Sequence, residues 1–228
     1  MALSYSSLEL LDSLPIDFLL SVPAGEGSLA HRRHVPFRLI ELDSLSDRLD
    51  LERIFRRKAA LHVDLGCGDG SFLCAMAQRM PDKNFLGIER LLNRVRICGR
   101  KAVGLDNVRL LRMESSYAVR YLLPTDSVET FYLLFPDPWP KRRHQRRRIV
   151  TLDFLSSIEA ALQKNGSIYI ATDDPDYFGN IKKLAESDGR FSLGVADVDL
   201  PQSKFGRIFE RAGAEIHWLE LRKVSPVK

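Results

Sequence analysis

The sequence has few cysteines, and it lacks both metal-binding spacings and long apolar runs. Its three cysteines, Cys67, Cys74 and Cys98, show no CxxC spacing, and its five histidines show no metal-ligand spacing. We therefore expect free thiols, no disulfide framework and no bound metal. No run of about 18 apolar residues is present, so no membrane span is indicated. Because Asp12 and Asp17 interrupt the apolar N-terminus and no basic leading segment precedes them, we expect no secretory signal and a cytoplasmic protein.

An excess of positive over negative charge is confined to one short segment. The 228 residues include 34 Lys and Arg against 30 Asp and Glu, which gives a net charge of +4. Residues 141–148 read KRRHQRRR and hold six of the basic side chains, so the rest of the chain has 28 basic and 30 acidic residues and a net charge of −2. Such a basic segment is typical of contact with a polyanion. The candidate phosphate-binding side chains are Arg142, Arg143, Arg146 and Arg147.

From residue 60 onward, short apolar runs alternate with helical stretches. Strands are predicted at residues 60–65, 84–89, 107–112, 128–135, 167–172, 191–195 and 214–221. Helices are predicted at residues 71–79, 91–103 and 147–162, with a short one through Tyr121 and another that begins at Pro175. The alternation predicts an α/β, Rossmann-like fold, in which helices cover both faces of a mostly parallel seven-stranded sheet.

Two boundaries follow from the same pattern. Residues 1–45 have weak periodicity and several Ser, Pro and Gly residues, so we interpret them as a partly ordered extension and residues 46–228 as one domain.

The predicted helix over 147–162 begins inside the basic segment and ends at residues 164–166. Positive charge at a helix N-terminus opposes the helix dipole, which favours a phosphate-binding role for the segment.

A glycine-rich turn follows the first predicted strand, where residues 63–70 read VDLGCGDG. Gly66 and Gly68 let the backbone turn sharply and approach a ligand without a Cβ in the way. No Gly-Lys-Ser/Thr is present, which excludes a P-loop, and Ser71 stands where a dinucleotide fingerprint has its third glycine. Asp64 lies on the strand itself, where a carboxylate repels a diphosphate but suits a cationic ligand such as a sulfonium or an amino group.

Two further acids follow the next strands. Glu89 ends the second predicted strand, where an acid accepts hydrogen bonds from the ribose hydroxyls of an adenosine. Glu114 follows the third strand, and we expect it to accept from an adenine amino group. Together with Asp64, these positions resemble those of the class I S-adenosylmethionine methyltransferases, so S-adenosylmethionine is the expected cofactor.

The segment FPDPWP, residues 135–140, follows the fourth predicted strand. Its three prolines fix φ and stiffen the loop. The loop carries one carboxylate, Asp137, and one indole, Trp139. We expect Asp137 to accept hydrogen bonds from a base edge and Trp139 to stack on a base or to wall its pocket.

The longer stretch FPDPWPKRRHQRRRIV resembles the signature of the tRNA (guanine-N7)-methyltransferase family. VDLGCGDG, FLGIER, ATDDPDYF and SKFGRIFERAG agree with that family, so the resemblance runs from residue 61 to residue 220. It implies a class I methyltransferase that transfers a methyl group from S-adenosylmethionine to N7 of guanine in tRNA, at position 46 of the variable loop. The basic side chains are then contacts to RNA phosphates. The sequence leaves open whether the chain is a monomer or a homodimer.

The resemblance also assigns roles to single residues. The cofactor-binding positions are Asp64, Gly66, Gly68, Glu89, Glu114 and Asp137. Asp137 is in addition the proposed catalytic residue of the family, and Lys141 and Asp173 match its substrate-binding positions. The late Thr-x-Phe/Tyr-Glu motif of the family falls on substrate-binding candidates Ser203, Lys204 and Phe205, and then on Gly206. Serine keeps the hydroxyl but Gly206 keeps no carboxylate, which puts the details of base recognition in doubt; Glu210 is a candidate substitute.

Three alternatives stay open at this point. The first is a methyltransferase for an exocyclic base nitrogen of RNA, since such enzymes carry a similar loop after the fourth strand. The second is a nucleotide-dependent oxidoreductase, against which Ser71 and Asp64 argue. The third is an RNA-binding relative with little catalytic activity, which the retained Asp64, Glu89 and Asp137 disfavour.

Overall fold

The computed structural model describes residues 38–194 and 200–224. Within them the strands are β1 Leu61–Leu65, β2 Asn84–Ile88, β3 Val108–Leu111, β4 Val128–Leu134, β5 Leu162–Thr172, β6 Phe191–Gly194 and β7 His217–Lys223. The α-helices are α1 Leu51–Phe55, α2 Ser71–Arg79, α3 Leu92–Lys101, α4 Ser115–Tyr117, α5 Leu152–Ala161, α6 Pro175–Asp188 and α7 Lys204–Arg211. A π-helical turn, Ala118–Leu122, extends α4, and a 3₁₀ helix, Arg142–Arg147, precedes α5.

The strands form one seven-stranded sheet in the order β3-β2-β1-β4-β5-β7-β6. The first five strands in this order pair in parallel, and β7 runs antiparallel to both β5 and β6. The prediction of a mostly parallel seven-stranded sheet is therefore confirmed. The chain moves outward from β1 to β3 and then returns to β4, so the strand order reverses between β1 and β4. Ligands of open α/β sheets bind at the carboxyl ends of the strands at such a reversal.

The central strands are buried on both faces. All five residues of β1 and all five of β2 are buried, as expected for parallel strands that are covered by helices on each side. One apolar cluster lies mainly against α5 and α6, where Leu155, Ile158 and Ile181 are fully buried. A second cluster lies under α2 and α3 and includes the three free cysteines.

The predicted helix over residues 147–162 begins too early, whereas its end agrees with the structure, in which Ala161 is the last residue and Leu162 is the C-cap. Helix α5 begins only at Leu152, because the Thr151 hydroxyl caps it by accepting a hydrogen bond from Phe154 N at 3.1 Å. The basic segment belongs instead to the separate 3₁₀ helix, which Arg148 ends in an extended conformation. The helix-dipole argument for phosphate binding therefore does not apply to this segment.

Residues 164–166, expected to terminate that helix, lie within β5. Val128 of β4 pairs with Leu162, but Thr130 pairs with Ser167, so residues 163–166 bulge out opposite one residue of β4. Asn165 occupies the left-handed region at φ 63°, which asparagine tolerates better than most residues. The turn-forming residues thus make a bulge rather than a helix end.

The predicted extension lies mostly outside the described residues, and its boundary at residue 45 stays a prediction. Where the description begins, Leu39 forms an isolated parallel bridge with Leu110 of β3. Ile40 N also donates to the carbonyl of Leu110 at 2.7 Å. The segment from residue 38 therefore adds backbone contacts at the β3 edge of the sheet. Val195, the last residue of a predicted strand, is likewise outside the described residues.

Candidate active site

The glycine-rich turn connects β1 to α2 in a conformation that few side chains tolerate. Gly66, Gly68 and Gly70 have φ values of 75°, 55° and 74°. Gly66 N donates to the carbonyl of Ile88 at 2.8 Å, which ties the turn to the end of β2. A Cβ on Gly70 would lie 2.2 Å from the sulfur of Cys98 on α3. The turn is therefore packed closely against β2 and α3, at the carboxyl edge of the sheet.

Two carboxyl groups lie side by side where β1 and β2 end. Asp64 is 3% exposed and lies close enough to Glu89 for the two carboxyl groups to interact electrostatically. Burial, together with the nearby negative charge of Glu89, raises the pKa of the Asp64 carboxyl to about 8. Glu89 is held in place by Gly68 N at 3.2 Å and Leu91 N at 2.8 Å. Since two neighbouring carboxyl groups at a buried site are costly to ionise together, this pair favours a cationic ligand.

Glu114, predicted to contact adenine, caps a helix in the structure. Its two carboxylate oxygens accept from Ser116 N at 3.0 Å and from Tyr117 N at 2.8 Å, at the start of α4. The side chain lies at the end of β3, and each oxygen retains a second acceptor position. Capping accounts for its position, and the contact to adenine stays a prediction.

The FPDPWP loop adopts an unusual backbone conformation after β4. Phe135 and Trp139 have φ values of 56° and 43°, a region in which a bulky side chain costs about 1–3 kcal/mol. Two hydrogen bonds hold the loop, since Phe135 N donates to Ala171 of β5 at 2.8 Å and Arg148 Nε donates to the Pro138 carbonyl at 2.7 Å. Such strain, held by surrounding contacts, is concentrated at functional sites in proteins.

Trp139 packs against the basic 3₁₀ helix. The guanidinium carbon of Arg147 lies 5.0 Å from the centre of the indole, and the His144 ring meets it edge-on at 5.9 Å. This contact anchors the 3₁₀ helix to the loop. The predicted stacking of Trp139 on a base stays a prediction, and its ring already has Arg147 as a partner.

Asp137 is exposed on the loop and lies close enough to Tyr177 of α6 to affect it electrostatically. Burial raises the pKa of the Tyr177 hydroxyl, and Asp137 contributes to that rise. The guanidinium of Arg148 stacks on the same tyrosine ring at 4.6 Å. Arg148 and Tyr177 thus support the loop that carries Asp137. Sequence reasoning missed both, because nothing distinguishes Arg148 from the other arginines of the basic segment.

The remaining predicted substrate positions lie on neighbouring elements. Asp173 directly follows β5 and is half-buried, and burial raises the pKa of its carboxyl above the ordinary value. Lys141 directly precedes the 3₁₀ helix and is exposed. The four predicted phosphate-binding arginines are exposed on that helix: Arg142, Arg143, Arg146 and Arg147.

Helix α7 joins the ends of β4 and α3 through aromatic contacts. Ser203 caps it by accepting from Gly206 N at 3.0 Å, and Lys204 is its first residue. Phe205 lies 6.0 Å from the guanidinium carbon of Arg94, and Phe209 lies 5.2 Å from Phe135. The structure therefore brings the late motif to the strand end that carries the FPDPWP loop.

Packing does not require a glycine at position 206. A Cβ there would lie 3.4 Å from Ser203 Oγ and 3.5 Å from Phe135 Cε2, which are ordinary contact distances. Glu210, one turn further along α7, accepts a hydrogen bond from Gln202 Nε2 at 2.5 Å. The glutamate of the family is thus absent without a steric reason, and the candidate substitute is engaged by a neighbour.

The described residues hold neither a metal centre nor a membrane-spanning helix. No group of three or more His, Cys, Asp or Glu side chains among them is placed to hold a metal ion. No helix in this part of the chain combines the length and apolarity needed to cross a membrane.

Solved structures of methyltransferases share this fold. The structure superposes on a 16S rRNA methyltransferase, KamB, with a TM-score of 0.56 over 78% of this chain and 95% of that one, at 17% identity. It also superposes on an S-adenosylmethionine-dependent O-methyltransferase from Thermotoga maritima, with a TM-score of 0.52 over 75% of this chain and 62% of that one, at 13% identity. At such identities the likeness shows the fold, which is the Rossmann-like fold of class I methyltransferases.

Sequence relatives narrow the class to a family. Residues 58–219 match a family model described as a putative methyltransferase. A tRNA (guanine-N(7)-)-methyltransferase of Halorhodospira halophila is 36% identical over 76% of this chain and 79% of its own length. One of Thermotoga maritima is 35% identical over 78% of this chain, which spans 58% of that relative's length. The chain belongs to the tRNA (guanine-N7)-methyltransferase family, so the family prediction is confirmed.

Proposed function

We propose that the protein transfers the methyl group of S-adenosylmethionine to N7 of a guanine in tRNA. The proposal depends on one observation, made in a chain that belongs to this family: three features expected of such an enzyme lie together at the carboxyl edge of the sheet. There the buried Asp64–Glu89 pair lies one strand away from the strained FPDPWP loop, which is itself joined to an exposed basic helix. A cation site, a base-contacting loop and a phosphate-binding surface are thus adjacent.

The residues at the ends of β1 and β2 fit this cofactor. S-adenosylmethionine supplies a methyl group that is activated by attachment to a positively charged sulfur. Asp64, buried beside Glu89, offers a carboxylate to the cationic part. Glu89 has its carboxylate oriented by two backbone N–H groups and retains lone pairs for ribose hydroxyls. Gly66 and Gly68 leave room for the ligand beside the backbone.

Positioning is the main catalytic task. Guanine N7 carries an in-plane lone pair and no proton, so no general base is needed. That lone pair forms the new bond to the methyl carbon as the bond to sulfur breaks, and the purine becomes positively charged. Holding the two reactants in line supplies on the order of 7–11 kcal/mol. Asp137, exposed at the end of β4, is the catalytic residue that stabilises the charge which develops on the base.

The base is selected by acceptors on neighbouring elements. Asp137 and Asp173 follow β4 and β5, which are adjacent in the sheet, and carboxylates at those positions accept from guanine N1 and N2 hydrogens. Adenine has no such pair of donors. Lys141, Ser203, Lys204 and Phe205 line the substrate from the 3₁₀ helix and α7, with Gly206 contributing no carboxylate.

Phosphates of the tRNA bind the 3₁₀ helix. Its four exposed arginines, Arg142, Arg143, Arg146 and Arg147, face no acidic residue within the helix itself. The target is guanine 46 of the variable loop, as the resemblance to the family implies, and the reaction takes place in the cytoplasm, where tRNA is modified. Exocyclic methylation is the weaker candidate, because no observation favours it.

A transcript without N7 tests the proposal directly. Transcripts of one tRNA made with guanosine or with 7-deazaguanosine are incubated with the protein and methyl-labelled S-adenosylmethionine. We expect label only in the guanosine transcript, although both transcripts bind. Equal labelling of the two transcripts would exclude N7 as the acceptor and would favour an exocyclic nitrogen.

A further inference from the structure

A cavity of about 490 Å³ is lined by the end of the 3₁₀ helix, the residues that follow it and α6. Its polar lining comes from two elements that are distant in sequence. The polar and charged residues that matter here are Gln145, Arg146, Arg148, Asn180, Lys183 and Ser187. Its volume falls within the range of small-ligand pockets, roughly 300–1,000 Å³.

The charge of the cavity has one sign. Arg146 and Arg148 contribute from the basic segment and Lys183 from α6, and no Asp or Glu is among the lining residues in the part of the chain that the structure describes. Lys183 forms no ion pair with any described residue. Its neighbour Lys182 is not in the lining and pairs with Glu186 at 3.9 Å on another side of α6. Cations without acidic partners that converge from two elements favour an anion.

The position of the cavity connects it to the active site. Its lining on α6 extends from Tyr177, which supports the FPDPWP loop, to Ser187. Ten residues of helix span about 15 Å, so the cavity leads from the catalytic edge along the side of the molecule. Arg146, one of the exposed arginines of the 3₁₀ helix, is part of the lining. The cavity therefore adjoins the surface that we propose for tRNA phosphates.

We propose that this cavity binds a phosphate and its ribose from the tRNA, at a nucleotide other than the methylated guanine. Arg146, Arg148 and Lys183 bind the phosphate, while the amide groups of Gln145 and Asn180 hydrogen-bond to the ribose 2′-hydroxyl. The proposal rests on tRNA being the substrate and deepens that assignment. A second contact on α6, away from the reacting base, fixes the orientation of the tRNA without taking part in methyl transfer.

Two adjacent lysines of α6 provide a matched test. Lys183→Glu reverses a charge inside the cavity, and Lys182→Glu makes the same change in net charge outside it. Binding of one labelled, unmodified tRNA is measured without cofactor over a series of salt concentrations. Relative to Lys182→Glu, we expect Lys183→Glu to bind at least about fivefold more weakly and to show a log–log salt slope smaller by about one. Far-UV circular dichroism and thermal unfolding confirm that both variants are folded.

Equal tRNA affinities and equal salt slopes for the two variants would overturn the proposal. The same result is expected if the cavity binds free inorganic phosphate but no phosphate of the tRNA. A second variant, Asn180→Ala, loses an amide without changing the charge, and we expect it to weaken tRNA binding about threefold while leaving the salt slope unchanged. The readout is binding, so failure to form 7-methylguanosine would refute the proposed function without being confused with failure of this contact.

Discussion

At the scale of single residues, Asp64 is the side chain that most clearly favours a positively charged ligand. Its carboxyl is buried beside Glu89, and its pKa is raised to about 8. Below that pH the ligand-free protein holds a proton on Asp64, which a cationic ligand displaces on binding. We therefore expect the affinity for S-adenosylmethionine to rise with pH between about 6 and 8 and to level off above about pH 8. Isothermal titration calorimetry in buffers of different ionisation enthalpy measures both affinity and proton release.

The variant Asp64→Asn is the control for this pH dependence. It removes the titrating group, so we expect weaker binding whose affinity changes less with pH than that of the natural protein. The difference between the two proteins isolates Asp64 from any titration of the ligand itself. Identical pH profiles for the two proteins would show that Asp64 does not face the positive charge.

Gly70 tests how closely the glycine-rich turn is packed. A Cβ at this position combines a φ of 74° with an approach of 2.2 Å to the Cys98 sulfur. Gly104 has a φ of 85°, but a Cβ added there would have no heavy atom within 4 Å, so Gly104→Ala adds backbone strain alone. We expect Gly70→Ala to lower the free energy of unfolding by about 1–3 kcal/mol more than Gly104→Ala, as overpacking does. Denaturant unfolding measures both; equal losses would mean that α3 moves aside at little cost.

His62 makes the stability of the fold depend on pH in the acidic range. Burial lowers its pKa from 6.5 to about 4 and outweighs the attraction of Glu129, whose carboxylate is already paired with Lys83 Nζ at 2.8 Å. The unfolded chain takes up a proton at about pH 6.5 and the folded chain does not, so stability falls as the pH decreases from 6.5 to about 4. The expected loss is about 3 kcal/mol. We expect His62→Gln to unfold with a shallower pH dependence in this window, and an unchanged dependence would assign it to other groups.

At the scale of elements, the strands were more predictable than the segments between them. The apolar runs of β1, β2 and β4 are short and continuous, which is typical of strands that are buried on both faces. The error over residues 147–162 arose because Ile149 continues the three- and four-residue spacing of α5 backward across a cap. Periodicity alone does not show that Phe154 N donates to the Thr151 hydroxyl instead of to a backbone carbonyl of a preceding helical turn, which makes Thr151 the N-cap of α5.

The helix boundary at Thr151 can be tested by stability. If α5 begins at Leu152, then Thr151→Ala removes a cap and lowers the free energy of unfolding by about 1 kcal/mol. If the helix instead ran through residue 151, the same change would place a better helix former in its interior. Ser157→Ala, within α5, is the control and should stabilise by a few tenths of a kcal/mol, roughly the difference in helix propensity. A stabilising effect of Thr151→Ala would contradict the boundary.

At the scale of the whole molecule, the alternation of strands and helices predicted the sheet but not its strand order. The antiparallel insertion of β7 between β5 and β6 depends on long-range pairing, such as that of Ile170 with Leu219, which no local pattern encodes. The candidate site shows the same division. Asp64, Glu89 and Asp137 are candidates because they lie at or just after strand ends, and their roles stay predictions. The support of the loop by Arg148 and Tyr177 depends on elements that meet only in the fold.

The central claim is that the edge formed by β1, β2 and β4 carries out methyl transfer to guanine N7 of tRNA. The most direct test incubates the purified protein with an unmodified tRNA transcript and methyl-labelled S-adenosylmethionine, digests the RNA to nucleosides and identifies the labelled nucleoside by mass spectrometry. We predict that the label is found in 7-methylguanosine and that Asp137→Ala reduces it at least about tenfold, as the loss of a group that stabilises developing charge does. Label in any other nucleoside would contradict the account.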